Sequence, residues 1–206
     1  MNKVILIILV SISLFGIEQK QEGVGWLDVF SYNDGSKKPR ILIIGDSIVR
    51  QYAHLVKEKI KDKYSLTRLS TSKSICSKEF INQLSVAFTQ NYDKILINNG
   101  LHDFTSSNKQ YEKCYIDSLN YIIETNPNSE IMLLTTTGVN GIANREKIVI
   151  QRNISLNTLS EKYKLNIIDL YSVVHGKKEL WRDAYHFELG GGKSSCKQSS
   201  RSYLES

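Results

Sequence analysis

Apolar runs and helical patterns alternate through the middle of this chain. Short apolar segments bounded by polar or turn residues are typical of buried strands, and they cover 40–44, 64–69, 94–98, 130–136 and 165–170. Between them, apolar positions recur with the spacing of amphipathic helices in 48–62, in part of 78–91, in 109–125 and near 145–163. Because buried strands alternate with helices of this length, the pattern predicts a parallel sheet covered on both faces.

The predicted fold class is α/β, with three α/β/α layers around a doubly wound, five-stranded parallel sheet. Right-handed crossovers between the strands follow from this alternation. In such sheets, ligands bind beyond the carboxyl ends of the strands, near a switch in strand order. We therefore expect the chemically important residues to lie directly after the strands.

The two ends of the chain depart from this pattern. A short positive segment, 1–3, precedes an apolar run, 4–15, as in a secretory signal peptide. The run is shorter than the roughly 20 residues that span a bilayer, and a buried strand or an uncleaved anchor is the alternative. The predicted segments are a signal peptide or N-terminal anchor (1–17), a polar leader (18–39), the domain (40–191) and an atypical, disordered tail (192–206).

The charge of the chain is modestly basic. Its 27 Lys and Arg outnumber 21 Asp and Glu, which gives a formal net charge of +6. These basic residues are spread over many short pairs, and the chain has no recognisable nucleic-acid-binding motif. The composition therefore predicts a solvated surface and no nucleic-acid partner.

The cysteines are Cys76, Cys114 and Cys196, with no close spacing. The absence of a Cys-x-x-Cys pair argues against zinc and thioredoxin-type sites. The histidines are too scattered for a metal site, and no glycine-rich fingerprint predicts a dinucleotide, so we expect neither metal nor cofactor. One disulfide could form in an oxidising compartment, and the sequence does not choose the pair.

Ser47 follows the first predicted strand, in the segment Gly-Asp-Ser at 45–47. A serine at a strand-to-helix junction can point its hydroxyl into the cleft, where the helix dipole and backbone N–H groups favour developing negative charge. The same position suits a plain helix-capping serine, which is the alternative.

Two further segments carry polar side chains at expected strand ends or turns. Asn-Asn-Gly-Leu-His-Asp at 98–103 follows the third predicted strand, and its polar groups could serve a site or cap the next helix. Near the C-terminus, Asp183 precedes His186 by three residues. Such an Asp can hold the imidazole Nδ1–H and leave Nε2 free to accept a proton from a serine.

Taken in order, these segments resemble the SGNH, or GDSL, hydrolase superfamily over about residues 40–191. The first block of the family is represented by Gly-Asp-Ser at 45–47 and the last by Asp-x-x-His at 183–186, followed by Phe187 and Gly191. The third block, usually Gly-x-Asn-Asp, is Gly-Leu-His-Asp here, so His102 stands where the family has Asn. Asn-Asn-Gly-Leu-His at 98–102 resembles a bacterial subgroup.

The resemblance implies a flavodoxin-like SGNH fold and a Ser-His-Asp mechanism. Ser47 would attack an ester carbonyl, His186 would transfer the proton, and Asp183 would orient His186. The oxyanion would be held by the backbone N–H of Ser47, by a second N–H and by a side-chain donor. No glycine lies where the second block supplies its N–H, so Ser74 or a neighbour is the expected donor, and His102 or alternatively Asn99 is the side-chain donor.

The family resemblance implies a serine esterase acting on small, acetyl-like esters, with carbohydrates or other small molecules as partners. An acyltransferase with the same triad and a degenerate, non-catalytic binding protein are the alternatives. The signal-like N-terminus favours a secreted or periplasmic protein with no membrane partner beyond an N-terminal anchor. The family usually ends with a long amphipathic helix, and the polar tail here predicts that one sheet face is under-covered.

Overall fold

The computed structural model describes residues 25–188, except 33, 34 and 36. The predicted signal peptide or anchor (1–17), the predicted tail (192–206), Gly191 and Cys196 lie outside the described residues. The strands are β1 (Leu27–Ser31), β2 (Arg40–Gly45), β3 (Ser65–Thr71), β4 (Lys94–Asn98), β5 (Glu130–Leu134) and β6 (Asn166–Ile168). The helices are α1 (Ser47–Ile60), α2 (Lys78–Ala87), α3 (Asn108–Thr125), α4 (Ala143–Tyr163) and α5 (Leu170–Val174), with a 3₁₀ turn at Lys178–Leu180.

The strands form one sheet in the order β1-β3-β2-β4-β5-β6. The pairs β2–β3, β2–β4, β4–β5 and β5–β6 are all parallel. This is a doubly wound order, and it confirms the predicted α/β class with five parallel strands. The order reverses at β2, whose neighbours are β3 and β4, so the carboxyl ends of these strands border the expected ligand crevice.

A sixth strand, β1, lies in the segment predicted as a leader. It pairs antiparallel with β3, from Leu27 opposite Thr71 to Ser31 opposite Thr67. The sequence did not predict a strand within this leader segment. β1 is an edge strand and is mostly exposed. Its sequence therefore lacks the continuous apolar run that marks a buried strand.

The two faces of the sheet are covered unequally. Apolar side chains of α2, α3 and α4 pack on one face over Leu42, Ile95 and Leu133. On the other face, α1 packs over Ile43 and Leu66. Beside α1, the described residues leave a cavity of about 490 Å³ whose lining includes Ile43, Leu96, Leu134, Ile168, Val173 and Phe187.

A disulfide joins Cys76, before α2, to Cys114 in α3. It closes a loop with a sequence separation of 38 residues. The sequence left the pairing open because three cysteines allow three pairs. None of the helices within the described range is long and apolar enough to cross a membrane.

Removing this disulfide should destabilise the fold. Replacing Cys76 and Cys114 together by Ala is expected to lower the free energy of unfolding by about 4 kcal/mol, because the unfolded chain regains the entropy that the cross-link removes. Urea unfolding of the oxidised wild type and the double variant measures the difference. Equal midpoints and slopes for the two proteins would contradict the prediction.

Candidate active site

Ser47 is the first residue of α1, directly beyond the carboxyl end of β2. The helix is capped by Asp46, whose side chain accepts a hydrogen bond from the Ile48 N–H at 2.9 Å. The interpretation of Ser47 as the capping serine is therefore wrong, and its hydroxyl is free for another role. A Cβ at Gly45 would lie 2.3 Å from the Asn98 carbonyl oxygen and from Val49, so the turn requires glycine.

The structure brings Ser47, His186 and Asp183 together. His186 Nε2 lies 2.9 Å from Ser47 Oγ, and His186 Nδ1 lies 3.0 Å from both carboxylate oxygens of Asp183. Ser47 and His186 are partly buried, whereas Asp183 is more exposed. The arrangement can move a proton from the serine hydroxyl to an imidazole whose other nitrogen is held by a carboxylate.

Asp183 is held in its charged form by its neighbours. Burial acts to raise the pKa of this carboxyl, but the backbone N–H and imidazole of His186 and the guanidinium of Arg182 outweigh it and lower the pKa. Its Oδ1 also accepts the backbone N–H groups of Tyr185 and His186, each at 2.9 Å. One carboxylate therefore fixes both the turn and the imidazole orientation.

Gln51 ties the histidine turn to the serine helix. It lies one helical turn beyond Ser47, and its side-chain amide pairs with both backbone groups of Phe187: the Phe187 N–H donates to Gln51 Oε1 at 3.1 Å, and Gln51 Nε2 donates to the Phe187 carbonyl. The sequence motifs do not single out Gln51. Its i+4 spacing from the nucleophile is a signal that could have placed it on the same helix face.

Asp46 is fully buried beneath the candidate nucleophile. Burial raises the pKa of this carboxyl, while its electrostatic interaction with His102 and the N–H groups of Ile48, Leu101 and Gly100 act in the opposite direction. The carboxylate of Asp46 is thus close to the turn that follows β4. Through this contact, the Gly-Asp-Ser segment and the predicted third block meet at the reversal in strand order.

Ser74, the residue predicted to supply the second N–H, is buried in a turn after β3. The side chain of Asn99 supports this turn, because its Oδ1 accepts the Ile75 N–H at 3.1 Å and its Nδ2 donates to the Lys73 carbonyl at 3.1 Å. The side chain of Asn99 thus stabilises the Ser74 turn.

His102 lies in the turn between β4 and α3. Asp103, the next residue, has a φ of 53°, and its carboxylate accepts hydrogen bonds from Thr105 Oγ1 at 2.7 Å and from the Ser106 N–H at 3.2 Å. The Asp103 carboxylate therefore stabilises the end of this turn through its bonds to Thr105 and Ser106. The described part of the chain contains no group of three or more His, Cys, Asp or Glu that could hold a metal ion.

No protein-family model matches the sequence, and a comparison with curated proteins finds no match. The fold, by contrast, is shared with many solved structures. A lipolytic protein of the G-D-S-L family from Veillonella parvula is similar at a TM-score of 0.60 and 14% identity, over 72% of this chain and 89% of that one. A lipase/acylhydrolase from Enterococcus faecalis is similar at a TM-score of 0.59 and 17% identity, over 73% and 88%.

A third similar structure is an active-site mutant of a family two carbohydrate esterase from Clostridium thermocellum. Its TM-score is 0.54 at 12% identity, over 73% of this chain and 58% of that one. At these identities the comparison establishes the fold. The chain has the SGNH/GDSL hydrolase fold that the order of its motifs predicts.

Proposed function

We propose that this protein is a serine esterase that hydrolyses small, acetyl-like esters, with carbohydrate esters as the substrate class. The observation that carries the proposal is the continuous hydrogen-bonded series from Ser47 Oγ through the His186 imidazole to the Asp183 carboxylate. A serine hydroxyl is a weak nucleophile by itself, and an adjacent base oriented by a third group is the arrangement that activates it.

In the proposed reaction, Ser47 Oγ attacks the ester carbonyl carbon while His186 Nε2 takes the hydroxyl proton. The tetrahedral intermediate collapses, the bond to the alcohol oxygen breaks, and His186 returns the proton to the leaving alcohol. A water molecule then attacks the acyl-serine, with His186 again as base, and releases the carboxylic acid and free Ser47. Asp183 stabilises the imidazolium form in both halves.

The oxyanion of each intermediate is held by N–H donors in this proposal. The Ser47 N–H lies at the helix N-terminus, where backbone donors lack partners within the helix and the dipole is positive. The Ser74 N–H is the second donor, and a ring N–H of His102 is the third. His102 is proposed for this role because it stands at the Asn position of the third block, whereas the Asn99 side chain already bonds the Ile75 N–H and the Lys73 carbonyl.

The compartment belongs to the same proposal. The disulfide between Cys76 and Cys114 is of the kind that persists in oxidising environments. Together with the signal-like pattern of residues 1–17, it supports a secreted or periplasmic esterase. In that compartment, the substrates would be small-molecule or carbohydrate esters.

The proposed acyl preference can be tested with p-nitrophenyl esters of increasing chain length. We expect kcat/KM for the acetate to exceed that for the octanoate by about tenfold or more, since a site shaped for a small acyl group has no contacts for the added methylenes. The apolar cavity is the alternative site for a longer acyl chain. Its lining includes Ile48 and Phe187, which follow Ser47 and His186 in the sequence. A preference for octanoate would contradict the small-acyl class and point to this cavity.

A further inference from the structure

Arg152, in the middle of α4, has a buried side chain with 1% exposure. Its guanidinium reaches the turn after β4 and donates to the carbonyl oxygens of Gly100 at 2.8 Å, His102 at 2.9 Å and Asp103 at 2.5 Å. Burying a charged group is costly unless it is well hydrogen-bonded. Three carbonyl oxygens of one turn provide those bonds.

Two aromatic rings complete the surroundings of this guanidinium. Arg152 Cζ lies 4.5 Å from the ring centroid of Tyr111 and 5.4 Å from that of Phe104. The planar fork is thereby fixed in orientation as well as in position, which a lysine ammonium could not reproduce.

The contact with Gly100 has a consequence for the opposite side of the turn. In a trans peptide the C=O of one residue and the N–H of the next point in opposite directions. Because Arg152 binds the Gly100 carbonyl, the Leu101 N–H points away from α4, and this N–H acts on the Asp46 carboxylate. A buried cation and a buried carboxylate therefore hold the same peptide from its two sides.

We propose that Arg152 is a positioning residue, which fixes the Gly100–Asp103 turn and thereby aims the His102 imidazole at the oxyanion. This inference rests on the proposed function, since it assumes that His102 donates to the oxyanion. Arg152 acts through the backbone of the turn and contacts no reacting atom. In this chain a histidine, His102, stands where the usual third block has Asn. Its side chain is longer, so its backbone must be held in place for the imidazole to keep its direction.

The test is a double-mutant cycle on p-nitrophenyl acetate hydrolysis, with Arg152→Met and His102→Ala. His102→Ala keeps the carbonyl that Arg152 binds, so a purely structural effect of Arg152 persists in that background. An effect of Arg152 that depends on the His102 imidazole disappears in that background. We expect each single variant to lower kcat about 100-fold with little change in KM, the loss typical of one oxyanion donor. The double variant should lose about twofold or less beyond His102→Ala alone.

Two results overturn the inference, and they are distinguishable. If Arg152→Met lowers kcat by the same factor with and without His102, Arg152 is structural and the esterase proposal stands. If His102→Ala leaves kcat unchanged, the oxyanion role of His102 fails, and the inference fails with it. Lys147→Met, on the exposed side of the same helix, is the control and should leave kcat unchanged. If Arg152→Met does not fold, Arg152→Lys takes its place in the cycle, with urea unfolding as the check on stability.

Discussion

Replacing Ser47 by Ala should lower the hydrolysis of p-nitrophenyl acetate by at least about 10⁴-fold in kcat, because the substitution removes the atom that forms the acyl-enzyme. The fold should be unaffected, since the side-chain cap of α1 is Asp46 and the Ser47 hydroxyl bonds to His186, not to a backbone group of the helix. Steady-state kinetics and a urea unfolding curve on the same preparation separate the two effects.

Ser85→Ala is the matched control for this change. Ser85 lies exposed on α2, and its hydroxyl donates to a carbonyl of its own helix. The control should retain the wild-type rate. If Ser47→Ala hydrolysed the ester at the wild-type rate, Ser47 would not be the nucleophile, and the proposed mechanism would be contradicted.

Asp183→Asn should lower kcat by about 10⁴-fold, the loss typical when a triad carboxylate becomes an amide. The amide can keep the turn by accepting the backbone N–H groups of Tyr185 and His186, but its NH₂ cannot accept the His186 Nδ1–H. The imidazole would then adopt the tautomer that places a proton on Nε2, facing the serine. KM should change little, because substrate binding does not depend on this tautomer.

The pH dependence of the activity loss in Asp183→Asn follows from the pKa of Asp183 in the wild type. Because the hydrogen bonds of His186 and Arg182 lower that pKa, the wild-type carboxylate stays charged to a lower pH than an ordinary aspartate does. The activity ratio of wild type to Asp183→Asn should therefore stay large from neutral into mildly acidic pH. Asp117→Asn, which removes an exposed carboxylate paired with Lys113, is the control and should be neutral. Equal activity of Asp183→Asn and wild type would contradict the assigned role.

The sequence predicted the parallel sheet because buried strands and amphipathic helices have distinct apolar periods. Each of the five predicted strands overlaps an observed one. It did not predict β1, because an exposed edge strand such as Leu27–Ser31 is specified by its neighbour more than by its own pattern. Likewise, the pairing of Cys76 with Cys114 depends on how α3 docks against the turn before α2, which no local pattern encodes.

For the site, the order of the sequence motifs predicted the residues whose own side chains are proposed to take part in the reaction. Ser47 and His186 are 139 residues apart in sequence, and the fold brings them to 2.9 Å. Gln51 and Arg152 were not predicted, because they act on backbone groups of other segments. A buried arginine within an amphipathic helix gives no sequence signal of which carbonyls it will bind.

The most direct test of a nucleophilic Ser47 is covalent labelling by a fluorophosphonate, followed by mass spectrometry of the intact protein and of its peptides. The account predicts one adduct per chain, located on Ser47, absent in Ser47→Ala and formed more slowly in Asp183→Asn. An unlabelled wild-type protein, or an adduct on a different residue, would contradict it.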